Sequence, residues 1–263
     1  MVAYGVALAH HDSACVARIL QGPLHNLIGP LLFLPYAFFA AEIVILLARA
    51  FGSATSPVAF WALIAGLPAV INYFFAFDLR TGVPGAGDNL VSSVMAIRLG
   101  RYLAEHRPEL LPDTRVYIVS FDAEEAGLRG SAEFFRAHGE EFRGLPTVHL
   151  NFDSLYSPRQ FHCILKDING SVALDPKLAK AIMETGREIG LDIKPFSMSF
   201  PYGGTDAAES ARAGISSVSI VGMPTDIVQK EYVYHTMRDL ASAIEPGVVS
   251  GSMRLVHHYL ESR

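Results

Sequence analysis

Residues 121–131, F-D-A-E-E-A-G-L-R-G-S, follow the apolar run R-V-Y-I-V-S-F at 115–121, which is typical of a buried strand. Gly127 and Gly130 allow the chain to turn sharply towards the next helix. Glu124 and Glu125 are adjacent carboxylates at the strand end, and like charges this close raise each other's pKa. A metal ion removes that cost, because one carboxylate can bind the metal while the other holds a proton of the attacking water. A solvated acidic turn is the alternative for the pair alone, so a metal site requires partners elsewhere in the chain.

The composition limits the class of protein. The 263 residues suit one large α/β domain, or one domain with an insertion. Hydrophobic residues make up 51% and charged residues 18%, with a mean hydropathy of +0.29, which predicts that some segment meets lipid. A net charge of −5 without a basic cluster argues against nucleic acid as a partner. Cys15 and Cys163 provide no disulfide framework, and the N-terminus lacks the features of a signal peptide.

Two further predicted strands also end in residues that can bind metal. Residues 2–9 form a short apolar run that ends in A-H-H-D-S, and P-T-V-H-L-N-F-D at 146–153 ends in Asp153. Sites in open α/β sheets gather beyond the carboxyl ends of strands. We therefore expect His10, Glu125 and Asp153 to converge, with Asp12 able to fix the orientation of a ligand.

Two loops supply the remaining candidate ligands. Asp88 stands in the glycine-rich loop T-G-V-P-G-A-G-D-N, where a helix begins, and a helix N-cap is its alternative role. His235 lies in Y-V-Y-H-T-M-R-D, ahead of the predicted C-terminal helix. Two histidines and three carboxylates suit a pair of zinc ions with one bridging carboxylate. The five candidate ligands are His10, Asp88, Glu125, Asp153 and His235.

A long hydrophobic insertion separates His10 from Asp88. Residues 26–48 contain Glu42 as their only charge, and residues 50–77 contain none. Each segment is about the 20 residues that a helix needs to cross a bilayer core, and G-S-A-T-S-P at 52–57 predicts a turn between them. We therefore predict a transmembrane helical hairpin over 26–78, without an assigned orientation. A buried helical pair in a soluble core is the alternative.

Five motifs in this order resemble those of the M28 family of zinc peptidases, the di-zinc aminopeptidase type. They are A-H-H-D-S, G-A-G-D-N, A-E-E-A-G-L-R-G-S, N-F-D and Y-H-T-x-x-D. The resemblance implies an α/β fold: a mixed, mostly parallel sheet with helices on both faces. It covers nearly the whole chain apart from residues 14–80, so residues 1–25 and 79–263 would form the peptidase domain.

The resemblance also implies a role for each site residue. His10, Asp88, Glu125, Asp153 and His235 would hold two Zn²⁺ ions, with Asp88 bridging. Glu124 would be the general base that activates the water and later protonates the leaving amine, and Asp12 would orient His10. Tyr234 would donate a hydrogen bond to the oxyanion. Tyr202 to Asp206 resembles the loop that lines the substrate pocket.

The chain departs from the family pattern in two places. Its first ligand strand begins almost at Met1, which implies either truncation of an N-terminal edge of the sheet or a compact variant. The hydrophobic hairpin replaces a short loop, which predicts a membrane-associated enzyme acting on a peptide or a lipid-linked amide.

The leading prediction is a membrane-anchored aminopeptidase that hydrolyses the N-terminal peptide bond. The alternatives are a glutaminyl-cyclase-like enzyme with one zinc, a deacylase of amino-lipids, and a catalytically inactive membrane scaffold. An intact Glu124 together with five ligands argues against the scaffold, because an inactive site has no chemical need for all of them.

Overall fold

The computed structural model describes residues 2–5, 9–21, 28–52, 57–110, 114–142, 144–199, 202–226 and 232–262. The chain forms two compact units. The first consists of Met1–Ala14, Pro84–Thr225 and Arg238–Arg263, and the second of Cys15–Val83 and Asp226–Met237.

Eleven strands and seven α-helices occur in the described residues. The strands are β1 (Val2–Gly5), β2 (Ala9–His10), β3 (Cys15–Ala17), β4 (Phe77–Gly82), β5 (Thr114–Tyr117), β6 (Ser120–Phe121), β7 (Val148–Leu155), β8 (Phe161–Asp167), β9 (Val172–Ala173), β10 (Lys194–Ser197) and β11 (Ser216–Gly222). The helices are α1 (Ile28–Ala50), α2 (Pro57–Ala76), α3 (Val91–Leu110), α4 (Arg129–Phe142), α5 (Pro176–Glu188), α6 (Ala207–Arg212) and α7 (Pro246–Glu261).

The main sheet of the first unit has the order β10-β8-β11-β7-β1-β5, with β9 paired to β8. Strands β5, β1, β7 and β11 run parallel to one another, and β8 is antiparallel to β11. The predicted mixed, mostly parallel sheet is therefore confirmed. Strand β1 lies in the interior of the sheet, where Tyr4 is opposite Val148 of β7 and Val2 is opposite Thr114 of β5.

The two faces of β7 have different chemistry because successive side chains of a strand point to opposite faces. Leu150 and Phe152 belong to the main hydrophobic core, which also contains residues of α3, α5 and α7. His149 on the other face meets Ser210 of α6 and Phe135 of α4. Helices thus cover both faces, as predicted, and the buried polar residues of β7 share the face of α4 and α6.

The ends of several elements differ from the sequence-based expectation. The predicted strand 115–121 is two strands, β5 and β6, and β6 pairs with β2 in a separate small sheet. Helix α7 begins at Pro246, eleven residues after His235, because Glu245-Pro246 starts it with proline in the first turn.

The second unit contains the helices of the predicted hairpin and a small antiparallel pair of strands, β3 and β4. Arg18 and Asp78 form an ion pair at 2.5 Å beside these strands. Helices α1 and α2 approach closely where Gly66 meets Phe38, because a Cβ at Gly66 would overlap the phenylalanine ring. Glu42, one turn after Phe38, is buried. The predicted turn at 52–57 lies largely outside the described residues.

Helix α1 is long and apolar enough to cross a membrane over Phe33–Ala50, and 11% of that stretch is buried. Signal sequences and core helices of soluble proteins meet the same criteria of length and composition. Many large apolar side chains of this unit are exposed. On α1 they are Phe33, Leu34, Tyr36, Phe39, Ile43, Val44, Leu46 and Leu47, and on α2 they are Trp61, Ile64, Leu67, Ile71 and Phe75. The transmembrane hairpin stays a prediction.

Candidate metal centre

His10 is the buried centre of the candidate site. It ends β2, which pairs in parallel with β6 so that His10 lies opposite Phe121. Its Nδ1 lies 3.3 Å from Oδ1 of Asp12 and 3.1 Å from the backbone oxygen of the same residue. These contacts hold the ring so that Nε2 points towards three carboxylates.

The three carboxylates come from distant parts of the first unit. Nε2 of His10 lies 3.3 Å from Oδ1 of Asp88, 3.8 Å from Oε2 of Glu124 and 3.9 Å from Oδ1 of Asp153. All four side chains are buried. The convergence predicted for the ends of β2 and β7 is thus present in the structure, and the loop before α3 reaches the same point.

The electrostatics of this group are unfavourable without a cation. Burial raises the pKa of Asp153 to about 7, and the neighbouring charge of Asp88 acts in the same direction. Burial also raises the pKa of Glu124, as do the charges of Asp153 and other nearby acids. Burial disfavours a charged His10, but its hydrogen bonds with Asp12 and Asp88 outweigh that effect and raise its pKa. Three buried acids therefore share one imidazole.

A divalent cation fits this donor set. His10, Asp88 and Asp153 can each present one ligand atom within 4.8 Å of the others, and His10, Glu124 and Glu125 form a second such group. Imidazole nitrogen and carboxylate oxygen are both zinc ligands in proteins. A cation there would offset the repulsion that raises the pKa values of these acids.

The turn that presents Glu124 and Glu125 is held by Asp12. The two carboxylate oxygens of Asp12 accept hydrogen bonds from the backbone N–H groups of Glu124 at 3.2 Å and Glu125 at 3.1 Å. The turn itself is tight, with φ of 55° at Ala123. Gly130 is required because a Cβ there would overlap the backbone oxygen of Asp122. Asp12 thus contacts His10 and both residues of the glutamate pair.

The loop that presents Asp88 is held from both ends. Gly85 has a left-handed φ of 65°, and the backbone of Asp88 is not helical. Asn89 donates a hydrogen bond through Nδ2 to the backbone oxygen of Phe152 in β7, at 3.0 Å. Asp239 accepts hydrogen bonds from the N–H groups of Gly87 and Asp88. The sequence indicated Asp239 only as the last residue of Y-H-T-x-x-D, without a role.

Ser154 is a second residue that sequence reasoning missed. The register of β7 and β11 shifts at this position, and Ser154 has φ of 50°. Its hydroxyl donates to Oδ1 of Asp153 at 2.8 Å. A bulge of this kind redirects a side chain at the end of a strand, and no local sequence signal predicts it.

Tyr202 and Asp206, the predicted substrate residues, flank a loop before α6. The Tyr202 hydroxyl donates to the backbone oxygen of Thr225 at 2.5 Å. Asp167 accepts hydrogen bonds from the N–H and the hydroxyl of Thr205. Asp206 has no exposed surface, and burial raises its pKa to about 6.

His235 and Tyr234 lie in the second unit. Their rings stack with centroids 3.7 Å apart, and the backbone oxygen of His235 accepts a hydrogen bond from the N–H of Ala17. His235 also has a left-handed φ of 55°. Their roles as metal ligand and oxyanion donor stay predictions.

Comparison with solved structures relates the fold to zinc aminopeptidases. LapA aminopeptidase of Legionella pneumophila matches with a TM-score of 0.58 and 17% identity, over 70% of this chain and 48% of that one. BSAP, a zinc aminopeptidase of Bacillus subtilis, matches with a TM-score of 0.54 and 19% identity, over 68% of this chain and 42% of that one. A glutaminyl cyclase of Bacteroides thetaiotaomicron matches with a TM-score of 0.54 and 15% identity, over 70% of this chain and 65% of that one. The chain spans about half the length of the two aminopeptidases.

Sequence comparison identifies the family. No curated protein sequence matches the chain. The profile of peptidase family M28 matches residues 75–260, which include Asp88, Glu124, Glu125 and Asp153. His10 lies before the matched range and reaches the site through β2. With that profile over more than half of its length, the chain belongs to peptidase family M28.

Proposed function

We propose that this protein hydrolyses peptide bonds in a metal-dependent reaction and removes N-terminal residues from peptides. The observation that supports this most directly is the buried group in which Asp88, Glu124 and Asp153 face Nε2 of His10 within 3.9 Å. Family membership supports the same class of reaction.

The proposed ligand set holds two zinc ions. His10, Asp88 and Asp153 would bind one ion, and Asp88, Glu125 and His235 the other, with Asp88 bridging. The donor chemistry of the first three residues and the motif resemblance of the last two support this assignment. Zinc bound in such a site polarises a substrate carbonyl and makes water a stronger acid.

Glu124 is the proposed general base. Its carboxylate is buried beside the ligands, where burial raises its pKa towards the range in which a carboxylate both accepts and returns a proton. It would take a proton from the attacking water and deliver it to the leaving amine. Asp12 would hold Glu124 in place through its backbone N–H, and Tyr234 would donate to the oxyanion.

The substrate would meet the loop that contains Tyr202. Because Asp206 has no exposed surface, we propose that it acts through this loop, whose last residue it is before α6. Thr205 and Asp167 would fix the loop from the neighbouring strand end.

Metal content and one variant test the proposal together. Two zinc ions per chain, measured by elemental analysis, with release of free N-terminal residues from peptides, are the expected results. Glu124→Gln should lower turnover by roughly a hundredfold or more and keep the metal. A Glu124→Gln protein with full activity would contradict the assignment of the base, and a folded protein that binds no zinc would favour an inactive scaffold.

A glutaminyl-cyclase-like reaction is the second candidate, because a glutaminyl cyclase shares the fold with a TM-score of 0.54. A peptide with N-terminal glutamine separates the two functions. Hydrolysis releases free glutamine and a shortened peptide, whereas cyclisation releases ammonia and keeps the peptide length. One zinc per chain would accompany the second result.

We also propose that α1 and α2 anchor the protein in a membrane, close to lipid-linked or membrane-proximal substrates. The apolar surface of α1 over Phe33–Ala50 supports this. Val44, with 65% of its surface exposed, offers a test, since a lysine at the centre of a bilayer helix costs about 2.5–3.5 kcal/mol. Val44→Lys should reduce the alkali-resistant membrane fraction, whereas Leu79→Lys outside the helices should not. Wild-type protein in the soluble fraction would contradict the anchor.

A variant that lacks residues 26–78 would test the substrate proposal. We expect it to retain activity on soluble peptides and to lose preference for lipidated ones. Equal retention of both activities would exclude a role of the hairpin in substrate choice.

A further inference from the structure

The loop before α3 has backbone donors that no helix can satisfy. Asp88 has φ −122° and ψ 86°, and Asn89 has φ −141° and ψ 30°, so the chain is not helical where it presents the carboxylate. The N–H groups just before this point therefore need acceptors from elsewhere, because a buried unpaired N–H costs about 1–3 kcal/mol.

Asp239 supplies those acceptors at three successive residues. Its Oδ1 accepts from the N–H of Gly87 at 2.7 Å, and its Oδ2 accepts from the N–H of Asp88 at 3.2 Å. Its backbone oxygen accepts from the N–H of Ala86 at 3.3 Å. Asp239 is fully buried, so water does not compete for these bonds. One residue, 151 positions away in sequence, thus fixes the backbone of the loop.

Tyr156 packs closely against the same loop. A Cβ at Gly87 would overlap the ring of Tyr156. The loop is therefore in contact with an aromatic ring as well as with the two oxygens of Asp239. Asn89, on the far side of Asp88, is bonded to β7.

A carboxylate suits this position better than its neutral counterpart. Asp239 offers an acceptor oxygen to each of two N–H donors, whereas an asparagine offers one oxygen and would turn its own N–H₂ group towards the other donor. Yet the acid stands beside the carboxylate of Asp88, where a like charge is unfavourable. Its presence is understandable if a cation at Asp88 offsets that repulsion.

We propose that Asp239 is a positioning residue that fixes the backbone of Gly87 and Asp88 and thereby sets the metal affinity of the site. This inference rests on the proposed function, because it takes Asp88 as a metal ligand. Residues that orient metal ligands commonly change affinity by 10–100-fold when they are replaced.

The test compares two variants of Asp239 with a matched control. Asp175 is an aspartate away from the site that also holds backbone donors: its Oδ1 accepts from the N–H groups of Lys177 and Leu178 at the start of α5, and its Oδ2 accepts from the hydroxyl of Ser216. Zinc affinity of the metal-free proteins would be measured by competition with a chelating dye, at a temperature where circular dichroism shows each variant folded. We expect a 10–100-fold weaker affinity for Asp239→Asn and an unchanged affinity for Asp175→Asn.

The second variant, Asp239→Glu, separates position from charge. It keeps the negative charge and both acceptors but displaces them by one methylene group. We expect its affinity to fall as well, because the acceptors no longer meet the loop. Wild-type affinity in Asp239→Glu would show that only the charge matters, and wild-type affinity in Asp239→Asn would show a purely structural role. Either result would overturn the proposal.

Hydrogen exchange in the metal-free protein gives a readout that does not depend on zinc. The N–H groups of Gly87 and Asp88 should exchange faster in Asp239→Asn, while those of Lys177 and Leu178 remain protected. Unchanged exchange at Gly87 and Asp88 would overturn the positioning role alone. A folded wild-type protein that binds no zinc would instead overturn the proposed function, so the two failures are distinguishable.

Discussion

Replacement of His149 should remove part of the acid sensitivity of the fold. His149 is 2% exposed, with Nδ1 2.5 Å from the hydroxyl of Ser210 and Nε2 without a hydrogen-bond partner among the described residues. Burial lowers its pKa from 6.5 to about 3. The folded protein thus holds this imidazole neutral over a range in which the unfolded chain binds a proton.

The sign and size of the effect follow from proton linkage. Above pH 6.5 the histidine is neutral in both states, and below pH 3 it is protonated in both. Between these values the unfolded state binds more protons, so stability falls as the pH falls. At about 1.4 kcal/mol per pH unit, the loss is roughly 2 kcal/mol at pH 5 and about 5 kcal/mol in full.

Urea unfolding of wild type and His149→Asn between pH 8 and pH 4 measures this loss. Asparagine keeps a polar group near Ser210 but does not titrate there, and the smaller side chain lowers stability by a similar amount at every pH. The free energies of unfolding of the two proteins should differ by a constant amount above pH 7. That difference should shrink by about 2 kcal/mol at pH 5. Curves that stay parallel down to pH 5 would refute the buried neutral histidine, because other titrating groups are common to both proteins.

Three further predictions concern the site and the cysteines. Gly130→Ala should destabilise the fold by about 1–3 kcal/mol, since the new methyl group must displace the backbone oxygen of Asp122. Thermal unfolding measures this loss, and an unchanged midpoint would contradict the tight turn. Asp12→Asn should weaken zinc binding by about 10–100-fold in a chelator competition, because two backbone N–H groups then share one acceptor. Equal zinc affinity would exclude the role of Asp12 in the glutamate turn. One thiol per chain should react with a thiol reagent in the native protein, and two should react after denaturation. The reason is that Cys15 is exposed, whereas burial raises the pKa of Cys163 to about 12. Two thiols that react fast in the native protein would contradict the burial of Cys163.

The parts of the molecule that could be predicted from sequence are those with local signals. Apolar runs that end in acids or histidine predicted that His10 and Asp153 would converge, because strand ends in a parallel sheet share an edge. Asp239 could not be found in this way, since its partners are 151 and 152 residues away and the bonds go to backbone N–H groups. The bulge at Ser154 depends on the pairing of β7 with β11, and no periodicity within β7 encodes it.

The composition of the second unit could also be predicted only in part from local sequence signals. The apolar segments 26–48 and 50–77 predicted two helices, and α1 and α2 are present. Residues 226–237 group with them in the second unit, although about 140 residues separate them from β4. A contact of this kind, such as the bond from Ala17 to His235, follows from tertiary structure alone.

The interior position of β1 has a consequence for synthesis of the chain. Val2 pairs opposite Thr114 and Tyr4 opposite Val148, so β1 has no partner strand until residues 112 and 144 positions later are made (114 − 2 and 148 − 4). At about 5–20 residues per second, that wait lasts on the order of 10 s. Helices α1 and α2, complete by Ala76, leave the ribosome well before the sheet can close. Insertion of the proposed membrane hairpin would therefore precede closure of the sheet, and the candidate metal centre would be assembled afterwards from segments on both sides of the hairpin in sequence.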